Sequence, residues 1–116
     1  ENALKRLEDD GFIVLHDCNP PTEHHAREDY GYKDGPGGGY WNGTTWKAIQ
    51  YYRTIENTDT CVVDSDWGLG VICKRPNSNA LSSNANPFYE YHIFNNNRTE
   101  ILNLIDYDSF KKWLSK

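Results

Sequence analysis

A chain of 116 residues allows one domain, which buries roughly two thirds of the surface its unfolded form exposes, and it excludes a two-domain enzyme. Twelve Lys and Arg against 17 Asp and Glu give a net charge of −5 with no basic block, which excludes nonspecific nucleic-acid binding through a cationic surface. Hydrophobic residues make up only 37%, but the 14% that are aromatic carry enough buried area per residue to sustain a core.

The first helix is read over residues 2–9, where Ala3, Leu4 and Leu7 recur at helical spacing and Lys5, Arg6, Glu8 and Asp9 stay wet. Gly11 stops it, and Phe12, Ile13, Val14 and Leu15 follow as a continuous apolar run, the mark of a strand covered on both faces. Polarity flips at His16-Asp17-Cys18-Asn19, and Pro20-Pro21 turns the chain out of the sheet. Residues 20–43 form an irregular, Gly-rich insertion, too long for a plain connector. A second helix over 44–55 places Trp46 and Ile49 on the sheet side, with Asn42 or Thr44 as cap. Thr60–Val63 and Gly70–Cys73 read as a hairpin with a loop of about five residues, in a register that sets Cys61 opposite Cys73. Residues 77–87, rich in Asn and Ser, are a surface linker. Residues 88–116 are a helical segment whose last helix, capped by Asp106 or Asp108, turns Phe110, Trp113 and Leu114 inward.

The longest apolar runs are a few residues, so no helix of this chain spans a bilayer. The chain opens inside a helix with no leader pattern and contains no Met, which reads as a piece of something longer or a trimmed chain. Three Cys, an odd number with no Cys-x-x-Cys pair, fit free thiols in a reducing cytoplasm. Asn42-Gly43-Thr44 and Asn97-Arg98-Thr99 match the glycosylation triplet, a short pattern that carries no weight without a secretory signal.

The constellation that points most directly to chemistry is His16-Asp17, because titratable groups just past the carboxyl end of a strand stand where open α/β sheets bind ligands. The competing reading is a loop-capping Asp17 beside a packed His16. Asp64, Asp66 and Trp67 with Gly68 and Gly70 form a second cluster, for which turn chemistry is the simpler explanation. Adjacent His24 and His25 do not easily face one tetrahedral ion. Gly38 to Thr45 approaches a phosphate-binding loop but carries Thr44 where lysine must stand, and no glycine at position 40 completes a dinucleotide fingerprint.

Taken in order, Leu4-x-x-Leu7 before Gly11, the block Phe12-Ile13-Val14-Leu15-His16-Asp17-Cys18-Asn19-Pro20, the block Trp41-Asn42-Gly43-Thr44-x-Trp46-Lys47-Ala48, and Val62-Val63-Asp64-x-Asp66-Trp67-Gly68-x-Gly70-Val71-Ile72 resemble the C-terminal half of a class I S-adenosylmethionine-dependent methyltransferase. The likeness is to the bacterial group found beside glycan and capsule synthesis genes, and it extends through Asn97-Arg98 and Leu102-Asn103-Leu104-Ile105 to Phe110. It implies an α/β fold, a partial Rossmann-like sheet flanked by helices. Residues 12–16, 60–64 and 70–74 would be its fifth, sixth and seventh strands, in the local order fifth, seventh, sixth with an antiparallel hairpin.

By the same likeness Asp17 matches the strand-end acid that binds a divalent metal in catechol-type relatives, with Cys18 standing where those carry Asn. The donor-binding turn and the ribose-gripping acid have no counterpart here. The chain is then the acceptor side of an O-methyltransferase for a small or sugar-like hydroxyl, inactive alone, and S-adenosylmethionine binds the full-length parent rather than this chain. His16 and Asp17 would be catalytic, while Asn19, Trp41, Asn42, Trp46, Asp66 and Trp67 would hold the acceptor. The exposed edge left by a missing fourth strand implies a homo-oligomer, or cover by the N-terminal helix. The alternative is a stand-alone, non-catalytic α/β module that oligomerises or binds a partner; a weaker one is a metal-dependent hydrolase using His16, Asp17 and Asp66.

Overall fold

The computed structural model describes residues 2–28, 42–77 and 79–115. Its elements in chain order are α1 (Asn2–Arg6), β1 (Phe12–Leu15), α2 (Thr45–Arg53), β2 (Asp59–Val63), β3 (Leu69–Cys73), α3 (Tyr91–Asn96), α4 (Arg98–Leu102), β4 (Leu104–Ile105) and α5 (Tyr107–Leu114). Residues 29–41 of the expected Gly-rich insertion, Trp41 among them, lie outside the described residues.

Four strands form one mixed sheet in the order β1-β3-β2-β4. β3 runs antiparallel to both β1 and β2, so β1 and β2 point the same way, and β4 is parallel to β2. The three long strands therefore have the order and directions the sequence implied. The two-residue β4 was not expected inside the helical C-terminal segment. It forms because Asn103, left-handed at φ 49°, ends α4 and swings Leu104 and Ile105 alongside Val62 and Val63.

The hairpin register differs from the expected one. The loop is closed by the Ser65 N–H to Val63 O and the Gly68 N–H to Ser65 O bonds, both 2.8 Å. Val63 thus pairs Leu69, which puts Cys61 opposite Val71 and Cys73 opposite Asp59. The two cysteines share a face on a diagonal; all three cysteines are buried.

On one face of the sheet Ile13, Leu15, Val62 and Ile72 meet Trp46 and Ile49 of α2 and Phe94, Ile101 and Leu102 of α3 and α4. The Trp46 and Phe94 rings stack at 4.4 Å. At Gly70, in the middle of β3, a Cβ would stand 2.7 Å from both Cys18 Sγ and Ile49 Cδ1, so α2 and the strand-end loop close on the sheet at the one residue without a side chain. Residues 79–87, expected as part of a surface linker, are irregular but pinned: Leu81 is buried, and fully buried Asn86 exchanges hydrogen bonds with Gln50 and with the backbone of Glu90.

On the opposite face Cys61, Val71 and Cys73 pack under Trp113, Phe110 and Ile105. Asp106 caps α5, its carboxylate accepting from the Ser109 N–H at 2.8 Å. Arg75 closes this layer, donating to Asp59 at 2.7 Å and to the Trp113 carbonyl at 2.6 Å while lying 4.1 Å from the Trp113 ring.

β1 is not covered on both faces, as its apolar run had implied. It is an edge strand that pairs with β3 alone among the described strands, and its outward residues Phe12 and Val14 are 43% and 63% exposed. Apolar grooves flank the edge on both sides of the sheet, one lined by Ala3, Leu4, Ile13, Leu15, Ala48 and Tyr52, the other by Val14, Val71, Leu69, Tyr107 and Phe110. No helix among the described residues is long and apolar enough to cross a membrane.

Candidate functional site

The polar groups that follow β1 meet the β2–β3 loop at the carboxyl end of the strand. His16 points both ring nitrogens at carboxylates: Nδ1 lies 3.1 Å from Asp17 Oδ1, and Nε2 lies 2.9 Å from Asp66 Oδ2. A neutral imidazole donates from one nitrogen only, so this arrangement suits the imidazolium. The hydrogen bond to Asp66 is the main cause that raises the His16 pKa above its ordinary value, followed by the charge of Asp17. Both carboxylates thus favour the protonated ring, and a histidine beside a strand end is the side chain most often used for acid–base work. All three side chains are substantially exposed, which leaves room for a ligand and makes the ion pairs weak contributors to stability.

The backbone around this cluster is held in unfavourable conformations. Asp17 (φ 61°), Asp66 (φ 48°) and Trp67 (φ 65°) are left-handed without being glycine, and Gly68 follows at φ 88°. For a bulky residue such as Trp67 this conformation is strained, and strain of this kind clusters at ligand sites. Gly68 has no alternative side chain available, since a Cβ there would meet Asn19 at 2.6 Å. The Cys18 and Asn19 N–H groups donate to the carbonyls of Gly68 and Trp67 at 2.9 and 2.8 Å, sewing the two loops together.

Of the residues the sequence singled out, His16, Asp17 and Asp66 are brought into direct contact, and Asn19 and Trp67 lie beside them. The Trp67 ring is 40% exposed and faces the His25 ring at 5.5 Å. His25, whose pKa is lowered chiefly by burial, accepts the Asn42 and Gly43 N–H groups at its carbonyl, which sets Asn42 one residue layer behind the cluster. Trp46 is 1% exposed and its ring is engaged by Phe94 and Tyr91, so it belongs to the core. Cys18 is buried and its thiol is pushed up to about 12, chiefly by burial, which removes it as a nucleophile.

Arg98 was not singled out. Its guanidinium donates to Asn19 Oδ1, the Pro20 carbonyl, Tyr91 Oη and Asn95 Oδ1, and it lies 4.5 Å from the Phe94 ring. The sequence marks it only within the Asn97-Arg98 block of the resemblance, which gave it no role. Among the described residues, no group of three or more His, Cys, Asp and Glu side chains is arranged to hold a metal ion, and the Asp17 carboxylate is turned to His16. No protein-family model matches the chain, and comparison with curated proteins and with solved structures also finds no match.

Proposed function

We propose that this chain is the acceptor side of an S-adenosylmethionine-dependent O-methyltransferase for a small or sugar-like hydroxyl, without turnover of its own. The observation that carries the reading is the reversed β3 lying between parallel β1 and β2, with His16, Asp17 and Asp66 gathered where β1 ends. In open α/β sheets that end is where ligands bind. In its neutral form, with the Nδ1 proton held toward Asp17 and Nε2 turned from Asp66 to the substrate, His16 would accept the hydroxyl proton, and the methyl donor would supply the methyl group. Asp17 and Asp66 orient the ring, and the exposed Trp67 offers an apolar wall for the acceptor. Much of the acceleration of such a displacement comes from holding both reactants in line, so the acceptor side alone has little to offer.

Calorimetry with S-adenosylmethionine tests this. The expected result is no binding by residues 1–116 and, in the reading frame upstream of Glu1, a glycine-rich strand-to-helix turn. Tight donor binding by these 116 residues, or an upstream frame lacking that turn, overturns the reading.

A second reading, a non-catalytic module that self-associates, is favoured by one observation: the edge of β1, which no other described strand pairs, between two apolar grooves. An edge of this kind templates another strand. In this reading β1 of a second copy adds there, its Phe12 and Val14 on one face and its Ile13 and Leu15 on the other. Light scattering then finds a concentration-dependent dimer that Val14→Lys abolishes, and a monomer at every concentration counts against it.

A further inference from the structure

We infer that Arg98 is the positioning residue of the strand-end cluster: it fixes Asn19, and through Asn19 the Trp67–Gly68 backbone that brings Asp66 to His16. The inference rests on reading that cluster as the working site, and the chain of contacts is continuous. Arg98 Nη1 donates to Asn19 Oδ1 at 2.5 Å and to the Pro20 carbonyl at 2.6 Å, which immobilises the strand-end loop from its helical side. Nη2 is anchored on Tyr91 Oη at 3.0 Å and Asn95 Oδ1 at 2.6 Å, so the fork is set by α3 rather than by the loop it grips. The face of the guanidinium rests 4.5 Å from the Phe94 ring, and Phe94 is fully buried against Trp46.

On its other side Asn19 donates its N–H to the Trp67 carbonyl at 2.8 Å, and its Cβ fills the space in front of Gly68. Asp66, Trp67 and Gly68 are all left-handed, and a turn of that kind keeps its shape only where neighbours over-determine it. Asn19 is such a neighbour, and the Nε2 to Asp66 contact of His16 is what the turn delivers. A lysine cannot replace this arginine, because a single ammonium does not reproduce a planar fork with four acceptors and an aromatic face.

The test is amide hydrogen exchange and imidazole NMR on the intact chain, with Arg98→Ala, Arg98→Lys and Asn19→Ala. Roughly tenfold faster exchange at the Cys18 and Asn19 amides is expected in all three, the effect of losing one charge-assisted hydrogen bond. Exchange at Val62 and Val71 stays unchanged, and the His16 ring resonances move at fixed pH. Unchanged protection at Cys18 and Asn19, or a loss shared equally by Val62 and Val71, overturns the inference. Should Arg98→Ala fail to fold, Asn19→Ala and Arg98→Lys decide the same question. None of these measurements involves the methyl donor, so the inference and the acceptor-side reading fail separately.

Discussion

The two faces of the sheet are finished to different degrees. On one, α2, α3 and α4 bury a continuous layer from Trp46 to Leu102, and the largest side chains there are fully hidden. On the other, α5 is the one helix among the described residues that lies over Cys61, Val71 and Cys73, helped by Ile105, and the sheet runs out beneath exposed Phe12 and Val14. The difference teaches that the stability of this domain resides on the helix-rich face, while the α5 face and the β1 edge supply surface. Burial of a large aromatic on both sides matters more than on one, because truncation leaves a cavity only where the surroundings cannot close.

Three measurements sharpen or break that comparison. Phe94→Ala, on the closed face, removes the ring that stacks on Trp46 and is expected to cost about 3–5 kcal/mol in urea unfolding. Trp113→Ala, on the α5 face, is expected nearer the lower end, about 3 kcal/mol, since solvent reaches the vacated space beside Phe12 and Phe110. If the α5-face variant proves the more damaging of the two, the ranking of the faces is wrong.

The smallest effect lies at the strand end, where neither face covers the residues. The folded-state pKa of His16 is raised, so its contribution to stability is fully present below the unfolded value near 6.5 and is lost as pH rises through the folded value. Asp66→Asn removes the leading cause of the shift, and the dependence of stability on pH just above 6.5 should flatten in that variant. The same slope in both proteins would show that the contact is not maintained in solution.

Much of this arrangement could be read beforehand where a signal is local. The helical spacing of Trp46 and Ile49, the five-residue loop after Val63 and the abrupt polarity of His16-Asp17 each leave a pattern in a few consecutive residues. The open face of β1 could not be read, because Phe12-Ile13-Val14-Leu15 looks the same in a central strand and in an edge strand whose outer residues are uncovered. β4 is two residues long and exists through its pairing with β2, a tertiary cause with no propensity behind it. The hairpin slipped by two residues from the expected register because turn closure, not the apolar match of Cys61 with Cys73, decides which residues face each other. Arg98 was hidden for the opposite reason: its partners are Asn19 and Pro20, far away in sequence, and a helix charge announces nothing about what lies across from it.

Gly70 joins these regions in a way that bears on how the chain can change. The hydrogen atom it carries in place of a methyl group lets Ile49 on one helix and Cys18 behind the polar cluster rest on the same peptide. Any larger residue would wedge the helix and the strand-end loop apart together. Changes in the core and changes in the polar cluster are therefore not independent routes for this domain to drift along, since both pass through a single position with no spare volume.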